Sequence, residues 1–157
     1  MSDDIKIALI PDADVLSIIP LLRVLNGTIP EHTLRERLAD MVAQGYKCAG
    51  IYLDGRLIGI CGMWILTKYY VGRHIEPDNV VILPEYRSKG LGKRLLAWVY
   101  EYGRSQGCVA SELNCYLTNE RGQVFWEQEG YNKIGYHYQR AIENDEGLRS
   151  PSSKQGG

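Results

Sequence analysis

One stretch of the chain, residues 80–96, does most to limit the fold. Its sequence V-I-L-P-E-Y-R-S-K-G-L-G-K-R-L-L passes from an apolar strand, through a basic loop with Gly90 and Gly92, into a helix that continues to about Gln106. Residues 108–116 are typical of another strand. A strand, a helix and a strand in this order form a right-handed crossover, which places the two strands parallel in one sheet. The sequence therefore predicts an α/β fold with a parallel pair of strands.

Before this stretch the chain predicts further strands and two helices. The predicted elements are a strand at residues 6–10, helices at 15–25 and 34–44, and strands at 46–53, 57–66 and 73–83. Asp54 and Gly55 lie between two apolar runs, and an Asp-Gly pair in that context is the strongest short-range signal for a β-hairpin. The strands up to Pro84 are therefore expected to form an antiparallel meander.

After the crossover, residues 120–129 predict a short helix and residues 131–142 a final strand. Residues 143–157 lack hydrophobic periodicity and are expected to form a disordered tail. A chain of 157 residues is short enough for one domain, which we place at residues 1–142. We expect a mixed, mostly antiparallel central sheet with helices on both faces.

Composition excludes several classes of partner. With a formal net charge of −1, the chain gives no reason to expect nucleic acid or an anionic membrane as its main partner. The start of the chain lacks the pattern of a secretory signal, and its longest apolar run is too short to span a bilayer. The four cysteines do not have metal-ligand spacing. We therefore expect a cytoplasmic protein without a metal, and a homodimer is left open.

The loop between Pro84 and the following helix has the properties of an anion site. The first turn of a helix exposes N–H groups without partners at the positive end of its dipole. Glycines let a phosphate approach that backbone, and Arg87, Lys89 and Lys93 add positive charge. The sequence fits neither a Walker loop nor a dinucleotide fingerprint. The alternative is a basic helix start without a ligand.

Two motifs resemble those of the GNAT superfamily of N-acetyltransferases. The R-x-x-G-x-G loop after a strand is similar to the family's coenzyme A pyrophosphate loop. The stretch N-E-R-G-Q-V-F-W-E-Q-E-G-Y at residues 119–131 is similar to the family pattern N-x-x-A-x-x-(L/F)-Y-x-x-x-G-(F/Y), with Gly122 in place of the alanine. The element order also matches, so the resemblance covers roughly residues 5–142. It implies a single GNAT-like domain that uses acetyl-CoA as cosubstrate.

The resemblance also implies which residues hold the coenzyme. Main-chain groups of Ile82 and Leu83 would pair with the pantetheine arm and the thioester, and Asn119, Phe125 and Trp126 would lie near the pantetheine and the sulfur. The pyrophosphate would be held by the loop residues Arg87, Ser88, Lys89, Gly90, Leu91, Gly92 and Lys93. Asn119 also has the position of a helix cap, which is compatible with that role.

The strand before the loop offers carboxylates for proton transfer. An acceptor amine with a pKa near 10 is protonated at neutral pH, and freeing it costs roughly 4 kcal/mol, so a base is needed. Alternation in a strand without a bulge places Glu76, Asp78 and Val80 on the side of Ile82. In similar enzymes the amine attacks the thioester directly, and the base lies on this strand. Glu76 and Asp78 are the candidates, with His74 behind them; the alternative is that both carboxylates lie in a wet turn near Pro77.

The general acid departs from the family pattern. Similar enzymes have a tyrosine where this chain has Trp126, and an indole N–H is not a usable acid. Tyr116, Tyr131 or Tyr138 could protonate the leaving thiolate instead, or the proton could come from water. This departure keeps a second hypothesis open, an acyl-CoA-binding regulatory module without catalysis. A third is simple anion or nucleotide binding, which leaves the motif at residues 119–131 unexplained.

The acceptor is the feature that the sequence specifies least. Trp64, Tyr69 and Tyr70 lie near the end of the third strand, and Glu31 and His32 lie between the first two helices. Together they could line a cleft for a cationic amine, either a small molecule or a peptide lysine. The alternative is that these aromatic residues serve ordinary packing.

Overall fold

The computed structural model describes residues 4–143. The predicted tail at residues 143–157 lies outside this range except for its first residue. The chain forms two compact units, Met1–Glu112 and Leu113–Gly157. Among the described residues, the first contains the whole sheet and most of the helices, and the second contains one short helix.

The sheet of the first unit has five strands in the order β1-β2-β3-β4-β5. The strands are β1 Ile5–Leu9, β2 Lys47–Leu53, β3 Arg56–Lys68, β4 Gly72–Ile82 and β5 Ala110–Ser111. The first four pair antiparallel, and β5 pairs parallel with β4, His74 opposite Ala110 and Ile75 opposite Ser111. The predicted hairpin and parallel pair are confirmed. The predicted strand at residues 108–116 is much shorter than expected.

Three α-helices pack on the two faces of this sheet. They are α1 Ile19–Leu25, α2 Glu31–Ala43 and α3 Leu91–Ser105. A core cluster joins α1 and α2 to one sheet face, on which Ile60 and Val81 lie. On the opposite face Gly103 of α3 packs over Ile75, so that a Cβ at Gly103 would lie 3.1 Å from the Ile75 side chain. The predicted arrangement of helices on both faces is confirmed.

The predicted helix at residues 15–25 is wrong in its first half. Residues Asp12–Ile18 form a 3-10 helix, and the α-helix begins only at Ile19. Pro20 explains the change, because it has no N–H to donate to a carbonyl four residues earlier. Proline is tolerated within the first turn of an α-helix, where it lies here.

Strand β4 contains a bulge, whereas the predicted alternation of its side chains requires a strand without one. Ile60 lies opposite Val81, whereas Gly62 lies opposite Asp78, so β4 has one residue more than β3 over this interval. Asn79 absorbs the extra residue with a φ of 52°. A bulge of this kind reverses the facing of the side chains that follow it.

The second unit contains α4, Glu120–Gln128. The predicted strand at residues 131–142 is wrong: these residues have no regular secondary structure, and Tyr136, Tyr138 and Ile142 are each at least 80% exposed. A strand needs a partner along its edge, and these residues have none of the pairing that defines one. No helix within residues 4–143 has the length and apolar character needed to cross a membrane.

Candidate active site

The loop between β4 and α3 has a backbone suited to an anion. Ser88 and Gly90 have φ angles of 63° and 76°, so the chain turns sharply just before α3 begins at Leu91. Gly90 is the N-cap and offers no side chain to the first turn, which also contains no acidic residue. The N–H groups of that turn and the nearby cations therefore fit a phosphate group.

Basic side chains of this loop line a cleft. Lys89 of the loop and Arg94 of α3 line a space of about 320 Å³, together with Ile5, Leu53, Ile58, Tyr86 and Leu91. The Tyr86 ring lies beneath two cations, with Arg56 and Lys89 at 5.8 and 6.0 Å from its centroid. Positive charge is thus concentrated at the start of α3, although the chain as a whole is nearly neutral.

The main chain at the end of β4 is partly engaged. The N–H of Leu83 donates to the carbonyl of Ile58 at 2.9 Å, so it is not available to a ligand in this arrangement. This bond identifies Ile82 and Gly59 as a non-hydrogen-bonded pair of the antiparallel ladder. The backbone N–H and carbonyl of each residue in such a pair point away from the other strand. The N–H and carbonyl of Ile82 therefore face the other edge of β4, where β5 pairs only with His74 and Ile75. The Ile82 carbonyl accepts from Arg87 Nε at 2.8 Å.

The bulge changes where the candidate bases lie relative to Ile82. Glu76 lies directly opposite Trp64, and Asp78 accepts a hydrogen bond from Trp64 Nε1 at 3.0 Å, so these three share one sheet face. Beyond Asn79, Val81 lies on that face, and Ile82 points to the other. The expectation that Glu76, Asp78, Val80 and Ile82 share one side is therefore wrong, because it required an unbulged strand.

A buried tyrosine supports the bulge. Tyr46 is fully buried, and its hydroxyl donates to Asn79 Oδ1 at 3.2 Å. Its ring packs edge-on against Trp64, with centroids 5.2 Å apart, and fits over Gly62. Burial is the main cause that raises the pKa of Tyr46, and the nearby Cys48 and Asp78 add to it. Tyr46 therefore stays neutral and holds the segment that carries Asp78.

Two side chains contact the same carboxylate oxygen of Glu76, Oε2. His74 Nε2 lies 2.7 Å and Lys68 Nζ 3.4 Å from Glu76 Oε2. His74 is completely buried, and its Nδ1 lies 3.0 Å from the carbonyl of Gly72. The Glu76 side chain is itself only 16% exposed, so a carboxylate lies in a protected position with fixed polar neighbours.

Glu112 is a site residue that the sequence argument missed. It follows β5 directly, where the parallel register with β4 aligns it with Glu76. Candidate ligand atoms of Glu112, Glu76 and His74 all lie within 4.8 Å of one another. Tyr70 donates to Glu112 Oε1 at 2.5 Å, and this bond is the largest cause that raises the Tyr70 pKa to about 12. The predicted strand at residues 108–116 already contained Glu112, but the register that aligns it with Glu76 was not predicted.

The aromatic candidates for the acceptor lie near these carboxylates. Tyr69 is fully exposed and packs edge-on against Tyr70, which bonds Glu112. Trp64 bonds Asp78 across the sheet. Glu31 begins α2 and pairs instead with Arg35 at 3.2 Å, one turn further on. The structure therefore places Trp64 and Tyr70 in hydrogen-bond contact with Asp78 and Glu112, whereas Glu31 contacts Arg35.

Within the second unit, the residues of the second motif form a small cluster of their own. The Asn119 side chain caps α4 by accepting from the N–H of Gly122 at 3.0 Å. Trp126 packs edge-on between Phe125 and Tyr131, at centroid distances of 5.0 and 5.3 Å. Tyr116 and Tyr138 are more than half exposed. Of the three tyrosines considered as acids, Tyr131 is thus the one in ring contact with Trp126.

Comparison with known proteins identifies the family. Residues 19–131 match the model of the acetyltransferase (GNAT) family. The chain belongs to this family. It is 29% identical over 136 residues to a glucosamine 6-phosphate N-acetyltransferase of Trypanosoma brucei brucei, covering 82% of this chain and 89% of that protein. It is 26% identical over 90 residues to an aminoalkylphosphonate N-acetyltransferase of Salmonella typhimurium, covering 57% of this chain and 58% of that protein.

Solved structures show the same fold. An aminoglycoside N-acetyltransferase AAC(6′)-Iy in complex with CoA superposes with a TM-score of 0.78 at 17% identity, covering 92% of this chain and 98% of that one. Glucosamine-6-phosphate N-acetyltransferase from Arabidopsis thaliana gives 0.67 at 21% identity, covering 88% and 99%. The expectations of a GNAT fold and of an N-acetyltransferase are confirmed.

Proposed function

We propose that this chain transfers the acetyl group of acetyl-CoA to a primary amine, on a small molecule or a lysine, by direct attack of the amine on the thioester. One observation carries the proposal. Strand β4 carries Glu76 and Asp78 and, after the bulge at Asn79, ends at Ile82. The short 3-10 helix Pro84–Tyr86 then leads to the loop at residues 87–93, so one short segment connects the candidate bases to the anion site. A module that only bound the coenzyme would have no need of protected carboxylates at this place.

The coenzyme is proposed to lie along the end of β4 and the start of α3. The N–H groups of the first turn of α3 and the cations Arg87, Lys89 and Lys93 would hold the pyrophosphate. Main-chain groups of Ile82 would pair with the arm that carries the thioester. Asn119, Phe125 and Trp126 remain predicted contacts for the pantetheine and the sulfur.

The chemistry needs a place for one proton. The nitrogen lone pair of the amine forms a bond to the acetyl carbon, and the carbon–sulfur bond breaks to release the coenzyme as a thiolate. The first proton that the ammonium loses goes to Glu76, or to Asp78, directly or through water. The second leaves the nitrogen after the attack and balances the proton that the thiolate takes up, so that one proton is released overall. The thiolate takes a proton from water or from a tyrosine, for which Tyr116, Tyr131 and Tyr138 remain the predicted candidates. Because the amine attacks the thioester itself, no acyl-enzyme forms.

Charge near the bases favours a cationic acceptor. Glu76 and Glu112 lie close together, and Asp78 is on the same sheet face as Glu76. Lys68 pairs with Glu76. This excess of negative charge attracts an ammonium group and opposes a phosphate. The two curated relatives named above carry phosphorylated or phosphonate-bearing amines in their names. We propose that this chain instead prefers amines without such a group.

Substitution of the two carboxylates tests the proposed chemistry. Glu76→Gln keeps the shape but removes the base, so kcat at pH 7 should fall about 100-fold, and raising the pH should recover part of that loss. Coenzyme affinity should stay unchanged. Asp78→Asn, measured in parallel, decides which carboxylate leads. Wild-type activity in both single variants and the double variant across pH 6 to 9 would show that the base lies elsewhere.

Matched amines test the acceptor class. Glucosamine is compared with glucosamine 6-phosphate, and an aminoalkylphosphonate with the diamine of the same chain length. We expect kcat/KM at least about tenfold higher for each amine that lacks the phosphorus group, a difference of about 1.4 kcal/mol. Glu112→Gln should narrow the difference because it removes one negative charge. A preference for the phosphorylated member of each pair would contradict the acceptor class while leaving acetyl transfer intact.

A further inference from the structure

We propose that His74 is a positioning residue that fixes the Glu76 carboxylate for proton transfer. The inference rests on the proposed role of Glu76. His74 Nε2 lies 2.7 Å from Glu76 Oε2, and His74 Nδ1 lies 3.0 Å from the carbonyl of Gly72. Both neighbours are hydrogen-bond acceptors, so a ring with an N–H at each nitrogen donates to the main chain on one side and to the candidate base on the other. A ring fixed in this way sets the direction of the carboxylate.

The burial of His74 shows that its polarity is not incidental. Within residues 4–143, and apart from tyrosine and cysteine, it is the buried residue of polar or charged type, at 0% exposure. A polar group is tolerated in such a place only when its hydrogen-bonding atoms have partners. Its cross-strand neighbour is Leu66, so an aliphatic side chain would fit the surroundings of this position. The two polar contacts, of which one reaches Glu76, are what an imidazole provides there.

The other charged groups leave one oxygen of Glu76 for the acceptor. Lys68 of β3 lies 3.4 Å from Oε2, the oxygen that His74 also contacts. Glu112 is bonded to Tyr70 at 2.5 Å, and Asp78 is bonded to Trp64. Both contacts of the Glu76 carboxylate described here thus fall on Oε2, which leaves Oε1 to take the proton.

The cluster formed by His74, Glu76 and Glu112 could also suit a divalent cation, because its ligand atoms lie within 4.8 Å of one another. Lys68 argues against this alternative, since its ammonium group already lies beside Glu76 Oε2. A lysine and a divalent cation would repel each other at that distance. The positioning role is therefore the one that these contacts favour, and the effect of added metal provides a check.

Three substitutions of His74 separate its two contacts. Glutamine places a side-chain N–H close to the position of Nε2 and can reach Glu76, whereas asparagine places one close to Nδ1 and reaches only Gly72. Leucine provides neither. We expect kcat to fall 10- to 100-fold in His74→Leu and His74→Asn, because a carboxylate displaced by about 1 Å loses about that much rate. His74→Gln should recover to within about fivefold of the wild type.

The readouts distinguish positioning from general damage. Each variant is checked for a folded far-UV circular dichroism spectrum and for coenzyme A affinity, which should stay within about twofold. His74→Asn and His74→Gln differ by one methylene group and serve as each other's control where His74→Leu fails to fold. Equal rates in the two, or a wild-type rate in folded His74→Leu, would overturn the inference. So would a rate that EDTA abolishes and zinc restores in the wild type.

A second background separates this inference from the proposed base. In Glu76→Gln protein, His74→Asn should change kcat by less than about twofold, because its effect passes through Glu76. A further tenfold loss in that background would overturn the positioning role while leaving the base in place. Wild-type activity in Glu76→Gln itself would show that Glu76 is not the base, and the positioning role of His74 would then be refuted with it.

Discussion

Gly62→Ala tests the support beneath the bulge of β4. A Cβ at this position would lie 2.2 Å from the hydroxyl oxygen of Tyr46 and 2.7 Å from two of its ring carbons. Ordinary contacts of this kind exceed 3 Å, so the ring of Tyr46 has to move by about 1 Å within a fully buried site. Overpacking costs about 1–3 kcal/mol, and losing the hydrogen bond to Asn79 adds about 1 kcal/mol. We expect a total loss of about 2–4 kcal/mol.

Urea unfolding, followed by circular dichroism, measures this loss. With a slope of about 2 kcal/mol per molar urea, the midpoint should fall by about 1–2 M. Gly27→Ala is the control, because a Cβ there meets only the carbonyl of Arg23 at 3.4 Å, and it should change stability by less than about 0.5 kcal/mol. Tyr46→Leu should cost less in the Gly62→Ala protein than in the wild type, since the clash is then relieved. A Gly62→Ala protein as stable as the wild type, with no such coupling, would refute the reasoning.

Three other predictions concern the coenzyme loop, the indole and the buried thiols. In calorimetry, Gly90→Glu should bind coenzyme A at least about tenfold more weakly than Gly90→Gln. The glutamine variant is the control, because it has the same shape and the same backbone strain without the negative charge. Equal affinities in the two variants would show that the pyrophosphate binds elsewhere. Trp126→Phe should keep kcat within about tenfold of the wild type, and a larger loss with normal coenzyme affinity would make Trp126 part of the chemistry. Burial raises the pKa of Cys48 from 9.0 to about 12, so its contribution to stability is present below pH 9 and is lost as the pH rises toward 12. Cys48→Ala should therefore remove about 1.4 kcal/mol per pH unit from the decline in unfolding free energy between pH 10 and 11, and an unchanged slope would contradict the burial argument.

Elements specified by local chemistry could be predicted from the sequence. The hairpin at Asp54 and Gly55 and the turn before α3 at Gly90 depend on residues that tolerate positive φ, which is 51°, 83° and 76° at these positions. The helix after the loop follows from its apolar periodicity, and the parallel pair follows from the order of elements. Such features need no knowledge of distant residues.

Features that depend on distant contacts were beyond the sequence argument. The bulge at Asn79 is supported by Tyr46, 33 positions earlier, and it reversed the facing of Ile82. Glu112 joins Glu76 only through the register of β5, which is two residues long. The strand expected at residues 131–142 had suitable residues, but a strand also requires a paired edge. The β-propensity of a residue can be read from the sequence, whereas strand pairing depends on which backbone lies beside it in the fold.

The central claim is that this chain moves an acetyl group from acetyl-CoA directly to an amine, and product stoichiometry tests it most directly. The protein is mixed with acetyl-CoA, with and without a cationic amine drawn from polyamines, aminoglycosides and lysine peptides. The protein, the amine and the coenzyme are then identified and quantified by mass spectrometry. We expect one acetylated amine for each coenzyme A released, negligible release without the amine, and no acetylated protein. Tight coenzyme binding with no acetylated amine across the whole panel would contradict catalysis and favour a binding module. An acetylated protein that passes its acetyl group to the amine would contradict direct attack.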